Sequence, residues 1–429
     1  MSQQQQHTPR PTQRPTTNDR IAWQTYWQVQ NQPWRTEPEI SPKRQAELEH
    51  CRAIVPSIHQ GIYPFRGMKL ERADLEWLLA THEGGRGPVQ WDDETERERK
   101  GLDMRGADLN QIDLSDLPLT RLIGGPTFQE WGKISEELRM MASVHMEKAH
   151  LREARLERAN LREARLEGAD LNRARLERAN LSEARLERAH LFGARLEGAD
   201  LFGARLEGAH LRGARLEGAY LSNIILGDKK HIGPWLADVQ WGSSTNLAVV
   251  DWSQVNILRE EYQAQQKRTS RGERKDTYTR LMEYKTAVRA NRQLAVALQS
   301  QGLNEEAARF AYRAQHLQRS VLGRQHKVGQ YLFSGFLDLI AGYGYKPGRS
   351  VLAYLLLVAG FALAFYSFGH LKWYEALVVS LTAFHGRGFF SQQYQPGDPQ
   401  SIIAAIEAVV GLLIEISFIA TFTQRFFGK

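Results

Sequence analysis

From Ala149 to Leu221 the apolar positions recur every five residues, with Ala at the first position of each repeat and Leu two residues later. The pattern holds for fifteen successive repeats, which begin at Ala149 and Leu151 and end at Ala219 and Leu221. A period of five matches neither the 3.6-residue period of an amphipathic helix nor the two-residue period of a flat strand. It indicates a solenoid, in which each repeat buries its apolar pair by stacking on its neighbours.

The repeated motif is Ala, then Asp or Asn, then Leu and two further residues, as at residues 169–173 and 199–203. This motif resembles the pentapeptide-repeat family. The resemblance implies a right-handed quadrilateral parallel β-helix with four repeats per coil, in which Leu fills the axis and Ala fills the tighter layer. We assign residues 144–257 to this β-helix.

The same motif occurs before the strict run, at Ala73-Asp74-Leu75 and again at residues 107–114. We therefore expect residues 21–143 to form an N-terminal cap with early repeats, interrupted by a polar break from Gly84 to Lys100 and by a helical insert from about Phe128 to Ser143. Residues 1–20 are dominated by Gln, Thr and Pro, a composition that predicts a disordered tail.

A ten-residue period lies within the repeats, with Arg at every tenth position from Arg155 to Arg215 and Glu two residues after each, from Glu157 to Glu217. In a coil of about twenty residues this places Arg ladders on two opposite faces, each beside a Glu ladder. Two interpretations stay open. The alternating charges form a solvated face in which repulsion cancels, or they form a recognition surface for a cytosolic protein or ligand.

Residues 258–345 are predicted to form a basic helical hairpin, which resembles a tetratricopeptide-type helix pair broken at Gly302-Leu303-Asn304. Residues 259–349 carry 17 Lys and Arg against 8 Asp and Glu, an excess of +9 in a chain of net charge +7. The strict repeats, residues 149–226, hold 14 Arg against 12 Asp and Glu, which argues against mimicry of acidic DNA. For the basic segment, anionic lipid is a nearer partner than nucleic acid.

Three apolar stretches follow. Ser350–Gly369 has twenty residues without a charge, enough to cross about 30 Å of hydrocarbon as a helix, and Ser401–Thr423 is interrupted only by two Glu residues. Between them, Tyr374–Phe384 has eleven residues, too few to span, which fits a re-entrant helix. The positive-inside rule then places both termini in the cytoplasm, with residues 346–429 in the inner (plasma) membrane.

The order of span, short helix, Gly-x-Gly and span resembles two-transmembrane ion channels of the potassium-channel superfamily. Residues 380–388 and 405–411 carry the match, and Phe384, His385, Gly386, Arg387 and Gly388 stand where that family has its Thr-Val-Gly-Tyr-Gly filter. Both glycines are kept, but Thr, Val and Tyr are not, so potassium selectivity is not implied. Pentapeptide repeats ahead of such a pore also occur in a group of bacterial proteins that this chain resembles from end to end.

Within this pattern, Arg387 either lines the pore or points outward to lipid headgroups or a carboxylate. His385 either lines the pore, where it would sense pH, or is hydrogen-bonded behind the filter. On the second span, Glu415 would form a ring of carboxylates that attracts cations if it faces the pore. Glu407 is expected to support the filter through hydrogen bonds. Gly411 is either a gating hinge or a site of close helix packing.

Arg387 and Glu415 favour ions of opposite sign, so the charge of the permeant ion stays open. The sequence has no phosphate-binding Gly-x-x-x-x-Gly-Lys and no paired-cysteine metal spacing. We expect no catalytic residue, no metal site and no cofactor. The leading hypothesis is a homotetrameric ion channel subunit with inorganic ions and membrane lipids as partners and a cytosolic solenoid as sensor. The alternative is a membrane-anchored interaction scaffold without conductance.

Overall fold

The computed structural model describes residues 13–96, 98–227, 232–269, 271–369, 371–386 and 398–426. The chain divides into two compact units, Met1–Gln263 and Ala264–Lys429. The first unit contains the repeats and the second is helical.

Short helices lie before the strict repeats. They are α1 (Arg20–Val29), α2 (Pro42–Arg52), α3 (Arg72–Ala80), α4 (His82–Gly85), α5 (Phe128–Trp131) and α6 (Glu136–Ala142). The last two form the predicted helical insert.

The prediction that Ala73-Asp74-Leu75 begins the solenoid is wrong, because these residues lie in α3. Leu75 is followed by apolar Trp77, Leu78 and Leu79, and all four side chains are buried. That spacing suits a helix, and the Asp74 carboxylate accepts a hydrogen bond from the backbone N–H of Glu71 at the helix start. The motif at residues 107–114 does belong to the coils, since Asp108 and Asp113 pair in parallel with His145 and His150.

The strict repeats form coils of twenty residues, which are the four-repeat coils that the resemblance to pentapeptide repeats implies. Parallel bridges join each fifth residue to its equivalent in the next coil, for example Arg165 to Arg185 and Asp170 to His190. In the described part of the first unit these are single-residue bridges rather than extended strands. From Ala149 to Leu191 the Ala and Leu side chains of the repeats have no exposed surface.

The Arg and Glu ladders are ion-paired between coils. One ladder of bridges joins Arg165, Arg185 and Arg205, and another, offset by half a coil, contains Arg155 and its equivalents. Each pair links an Arg to the Glu eighteen residues earlier at 2.7–2.9 Å. The pairs are Arg165–Glu147, Arg185–Glu167 and Arg205–Glu187 on one face, and Arg175–Glu157, Arg195–Glu177 and Arg215–Glu197 on the opposite face.

In the fold, the Arg and Glu charges of the two ladders are therefore paired with each other between successive coils. Recognition of a partner by the same faces stays a hypothesis.

The helix α7 (Arg259–Gln265) begins at the C-terminal end of the solenoid. The Glu260 carboxylate is 2 % exposed and accepts hydrogen bonds from the backbone N–H groups of Leu236 and Ala237 at 2.7 and 2.5 Å. Burial raises the pKa of Glu260 to about 7, against the opposing effect of these hydrogen bonds.

The described part of the second unit contains six α-helices that follow α7. They are α8 (Thr277–Ser300), α9 (Asn304–Arg324), α10 (Val328–Ala341), α11 (Pro347–Gly369), α12 (Trp373–Phe384) and α13 (Pro399–Phe426). The first two form the predicted hairpin, with the break at Gly302, whose φ of +78° favours glycine. Of these helices, α11 and α13 are long and apolar enough to cross a membrane, and α12 is apolar but shorter.

Candidate functional site

The candidate site surrounds the C-terminal end of α12, which packs between α11 and α13. One side of α12 presents small residues, Ala376, Ser380 and Ala383, all at most 2 % exposed. Small side chains at this spacing let neighbouring helices approach closely. Phe365 of α11 and Ala404 of α13 lie in the same apolar cluster as the two alanines.

Ser380 connects all three helices through its hydroxyl group. Its Oγ donates to the backbone carbonyl of Val358 on α11 at 2.9 Å and lies 2.5 Å from Oε1 of Glu407 on α13. The Glu407 side chain has no exposed surface, and within the described residues its Oε2 has no hydrogen-bond partner. Glu407 therefore contacts the short helix from inside the bundle, and its role as a buttress of the filter stays a prediction.

At Gly411 the backbone of α13 approaches α12 closely. A Cβ atom placed on Gly411 would lie 2.2 Å from the carbonyl oxygen of Phe384 and 3.1 Å from its Cγ. Phe384 is 1 % exposed and packs against the ring of Tyr354 on α11. Of the two roles left open for Gly411, close helix packing is the one that this contact supports.

His385 ends α12 and faces Glu415 on α13. Its Nδ1 lies 2.9 Å from the carbonyl oxygen of Leu381, and its Nε2 lies 3.5 Å from Oε1 of Glu415. Both side chains are partly exposed, at 45 % and 38 %. A hydrogen bond from Nδ1–H to the carbonyl leaves Nε2 to face the carboxylate, where protonation of His385 gives an ion pair.

The structure describes three of the five predicted filter residues, and they occupy different environments. Phe384 belongs to α12 and its side chain is buried in helix packing, while His385 and Gly386 follow the helix end. The φ of Gly386 is +67°. Arg387 and Gly388 lie outside the described residues, so their pore roles stay predictions. The structure brings together Phe384, His385, Glu407, Gly411 and Glu415.

Sequence reasoning missed the role of Ser380, although the row of small residues on α12 was a usable signal. It also missed α10 and the polar cluster that fixes it. The Asp338 carboxylate of α10 accepts hydrogen bonds from the Tyr312 hydroxyl and from Arg319, both at 3.0 Å and both from α9. Arg349 of α11 donates to the Asp338 backbone carbonyl at 3.1 Å. Burial, together with the hydrogen bond to Asp338, raises the pKa of Tyr312.

Among the residues described, no three His, Cys, Asp or Glu side chains are grouped in a way that could hold a metal ion.

Comparison with known proteins concerns the repeats. Residues 142–178, 169–208 and 189–228 match the family model described as pentapeptide repeats, in eight copies. No curated protein matches the chain.

Solved structures similar to this chain include three pentapeptide-repeat folds. The pentapeptide repeat protein Rfr23 of the cyanobacterium Cyanothece 51142 is 27 % identical, with a TM-score of 0.23, over 33 % of this chain and 89 % of that one. A pentapeptide repeat protein of the Arabidopsis thaliana thylakoid lumen is 22 % identical, with a TM-score of 0.15, over 29 % and 68 %. The plasmid-mediated fluoroquinolone resistance protein QnrB1 is 17 % identical, with a TM-score of 0.21, over 43 % and 82 %.

Proposed function

We propose that this pentapeptide-repeat protein is an ion channel subunit, in which α11 and α13 cross the membrane and α12 is a re-entrant pore helix. The observation that carries the proposal is that α12 packs between the two long helices. Twelve residues of helix reach about 18 Å, well short of the roughly 30 Å hydrocarbon layer. A helix of this length enters a membrane only when protein or an aqueous cavity satisfies its ends.

The contacts of α12 support this role over that of a simple anchor. The Ser380 hydroxyl touches both long helices, and the Gly411 backbone approaches the last turn of α12. A buried carboxylate at membrane depth is costly, which favours a functional reason for Glu407. A tether that merely held the repeats at a membrane would need neither the short helix nor these polar contacts.

The end of α12 would then face the ion pathway. His385 and Glu415 are adjacent and partly exposed there, in contrast to fully buried Glu407. Four copies of α12 around one axis would place four His385–Glu415 pairs at the mouth, with Arg387 following in the chain. Carboxylates attract cations and guanidinium groups repel them, so the balance between these residues would set the sign of the permeant ion.

The repeats would act as the sensor or regulatory domain of the channel, on the cytoplasmic side of the inner membrane together with both termini. Regulation requires a partner that binds differently to the open and closed states. The Arg–Glu ladders hold most of their charge in internal pairs, so a protein or ligand that binds the solenoid would do so through surface shape and the residues between the ladders. Inorganic ions and lipids are the proposed partners of the membrane helices.

Ion flux into vesicles tests the proposal. The purified full chain is reconstituted into liposomes loaded with a dye for the chosen ion, and Glu415→Gln is compared with the unaltered chain. The proposal predicts flux that Glu415→Gln changes several-fold, and native mass spectrometry from the same vesicles should show four chains. A matched control is Glu305→Gln, on the exposed start of α9, which should leave flux unchanged. Vesicles that hold correctly folded protein but show no flux would support the membrane-anchored scaffold instead.

A further inference from the structure

The polarity of α10 is inverted with respect to a helix on a water-soluble surface. Val328, Leu332, Phe336 and Leu339 are 64, 64, 38 and 76 % exposed. At 100° per residue these four positions fall within an arc of about 80°, so they form one continuous apolar stripe. The polar residues Gln330, Ser334 and Asp338 lie at other angles on the helix. We call the four-residue stripe the outer face of α10.

The outer face cannot turn inward, because the opposite side of α10 is fixed. Asp338 is held by Tyr312 and Arg319 of α9, and its backbone carbonyl is held by Arg349. At the end of the helix, Ile340 and Ala341 are buried in the cluster that contains Val358 of α11. These contacts fix α10 about its own axis, with four large apolar side chains pointing away from the unit.

Exposure of such a stripe to water is unfavourable, since large apolar side chains such as Leu and Phe are more stable when they are removed from water. Contiguous exposed apolar patches on proteins mark surfaces that are covered by a partner or by lipid. The chain itself indicates which. Only residues 342–346 separate α10 from α11, whose own Leu352 and Leu356 are 56 and 64 % exposed. The outer face therefore lies directly beside an apolar helix of membrane-spanning length.

The charges at the ends of α10 agree with a lipid surface. Lys327 directly precedes the helix, and Lys346 lies in the short segment between α10 and α11. Basic residues beside an apolar stripe are typical of helices that lie in the headgroup region, with the stripe in the acyl boundary and the cations near lipid phosphates. A second protein chain on this face would give no reason for cations at both ends.

We infer that α10 is a membrane-interface helix, whose outer face is embedded in the leaflet next to the helical hairpin and whose flanking basic residues contact anionic phospholipid headgroups. The inference rests on the proposed membrane crossing of α11 and α13. In this arrangement α10, which connects the α8–α9 hairpin to the first span, is a lipid-binding element. Through Asp338, the same helix links α9 to the first turn of α11.

Spin labels matched in exposure test this inference. In the full chain with Cys51→Ser, single cysteines replace Leu332 or Leu339 on the outer face, Leu356 on α11 and Val296 on α8, and each is labelled with a nitroxide. Leu332 and Leu356 are each 64 % exposed and Val296 is 67 % exposed. Collision with oxygen reports lipid, and collision with a water-soluble nickel chelate reports solvent. The protein is reconstituted into vesicles of phosphatidylcholine and phosphatidylglycerol in equal parts.

The inference predicts an oxygen-to-nickel collision ratio at Leu332 and Leu339 that resembles Leu356 and is several-fold above Val296. A ratio like that of Val296 would place the outer face in water and overturn the inference. Low collision with both reagents would show a protein partner or second copy on the face, which also overturns it. If Leu356 itself reports water, the proposed membrane crossing fails as well. In phosphatidylcholine alone the ratios at Leu332 and Leu339 should fall, and unchanged ratios would refute the contact with anionic headgroups.

Discussion

The backbone of Gly411 lies so close to Phe384 that a Cβ on the glycine would come within 2.2 Å of the phenylalanine carbonyl oxygen. The helix α13 therefore meets the end of α12 backbone to backbone, with no room for a side chain. Glu407 lies one turn before this contact and Glu415 one turn after it. The proposed pore helix is thus positioned by one glycine and two carboxylates on the same side of α13.

Replacement of this glycine should disrupt the bundle. Gly411→Ala forces α12 and α13 apart, and overpacking of this kind costs about 1–3 kcal/mol. We expect a lower midpoint of thermal unfolding in detergent and a several-fold loss of flux. The matched control is Gly360→Ala in the interior of α11, where no atom lies within 4 Å of the added Cβ. That variant should be neutral or slightly stabilising, because Ala favours a helix over Gly. Equal behaviour of the two variants would contradict the contact.

Removal of the Ser380 hydroxyl should affect Glu407. Ser380→Ala leaves the buried Glu407 carboxyl group without the hydroxyl group that lies 2.5 Å from its Oε1, at a cost of about 1–3 kcal/mol. Thr382→Ala provides the control, since that hydroxyl donates only to carbonyl groups of its own helix. The thermal midpoint of the full chain should fall more for Ser380→Ala than for Thr382→Ala. If the order is reversed, the hydroxyl does not brace the three helices.

The ion pairs of the solenoid should contribute different amounts to its stability, according to how deeply each pair is buried. Glu157 has no exposed side-chain surface, lies 2.9 Å from Nε of Arg175 and accepts a hydrogen bond from Thr120. Glu197 pairs with Arg215 at the same distance but is 21 % exposed. We expect Glu157→Gln to cost about 2 kcal/mol, less than the 3–5 kcal/mol of a fully buried pair because Arg175 keeps contact with water.

Glu197→Gln should cost at most about 1 kcal/mol, as exposed pairs do. Hydrogen exchange of the coil amides, measured by mass spectrometry, gives the opening free energies for both variants. A larger effect at Glu197 than at Glu157 would show that burial does not set the strength of these pairs.

The C-terminal end of the solenoid, around Glu260, should lose stability as pH rises. The pKa of Glu260 is about 7 in the fold against an ordinary value of 4.5, so the folded chain holds a proton that the unfolded chain releases. Its contribution is complete below pH 4.5 and is lost as pH rises through 7, by up to about 3 kcal/mol. Exchange protection of residues 232–263, corrected for intrinsic rate, should fall over this range. Glu260→Gln should flatten the profile, and exposed Glu217→Gln should not; a steep profile in Glu260→Gln would assign the effect to another group.

The sequence predicted the parts of the fold that follow from periodicity. The register of the coils follows from Ala and Leu at fixed spacing, and the ion-pair ladders follow from Arg and Glu in the same repeat. Long apolar runs likewise predicted α11 and α13. A single motif was not enough at Ala73-Asp74-Leu75, because three residues fit a helix as well as a coil and only stacking partners distinguish the two.

Contacts between distant segments could not be predicted in the same way. Ser380 and Glu407 are 27 residues apart, and their pairing depends on the angle at which α12 packs on α13. The helix α10 was not predicted, because its apolar face points outward and its polar Asp338 points toward α9. This arrangement is the reverse of the usual pattern. Glycine at position 411 indicated close packing or a hinge, and its contact with Phe384 depends on how α12 packs against α13.

Single-channel recording of the purified full chain in a planar bilayer shows whether α12 lines an ion pathway. We expect discrete unitary currents, with a reversal potential under ion substitution that identifies the charge of the permeant ion and shifts in Glu415→Gln. Bilayers that contain folded, oriented protein but remain electrically silent would contradict the claim that α12 lines a conduit.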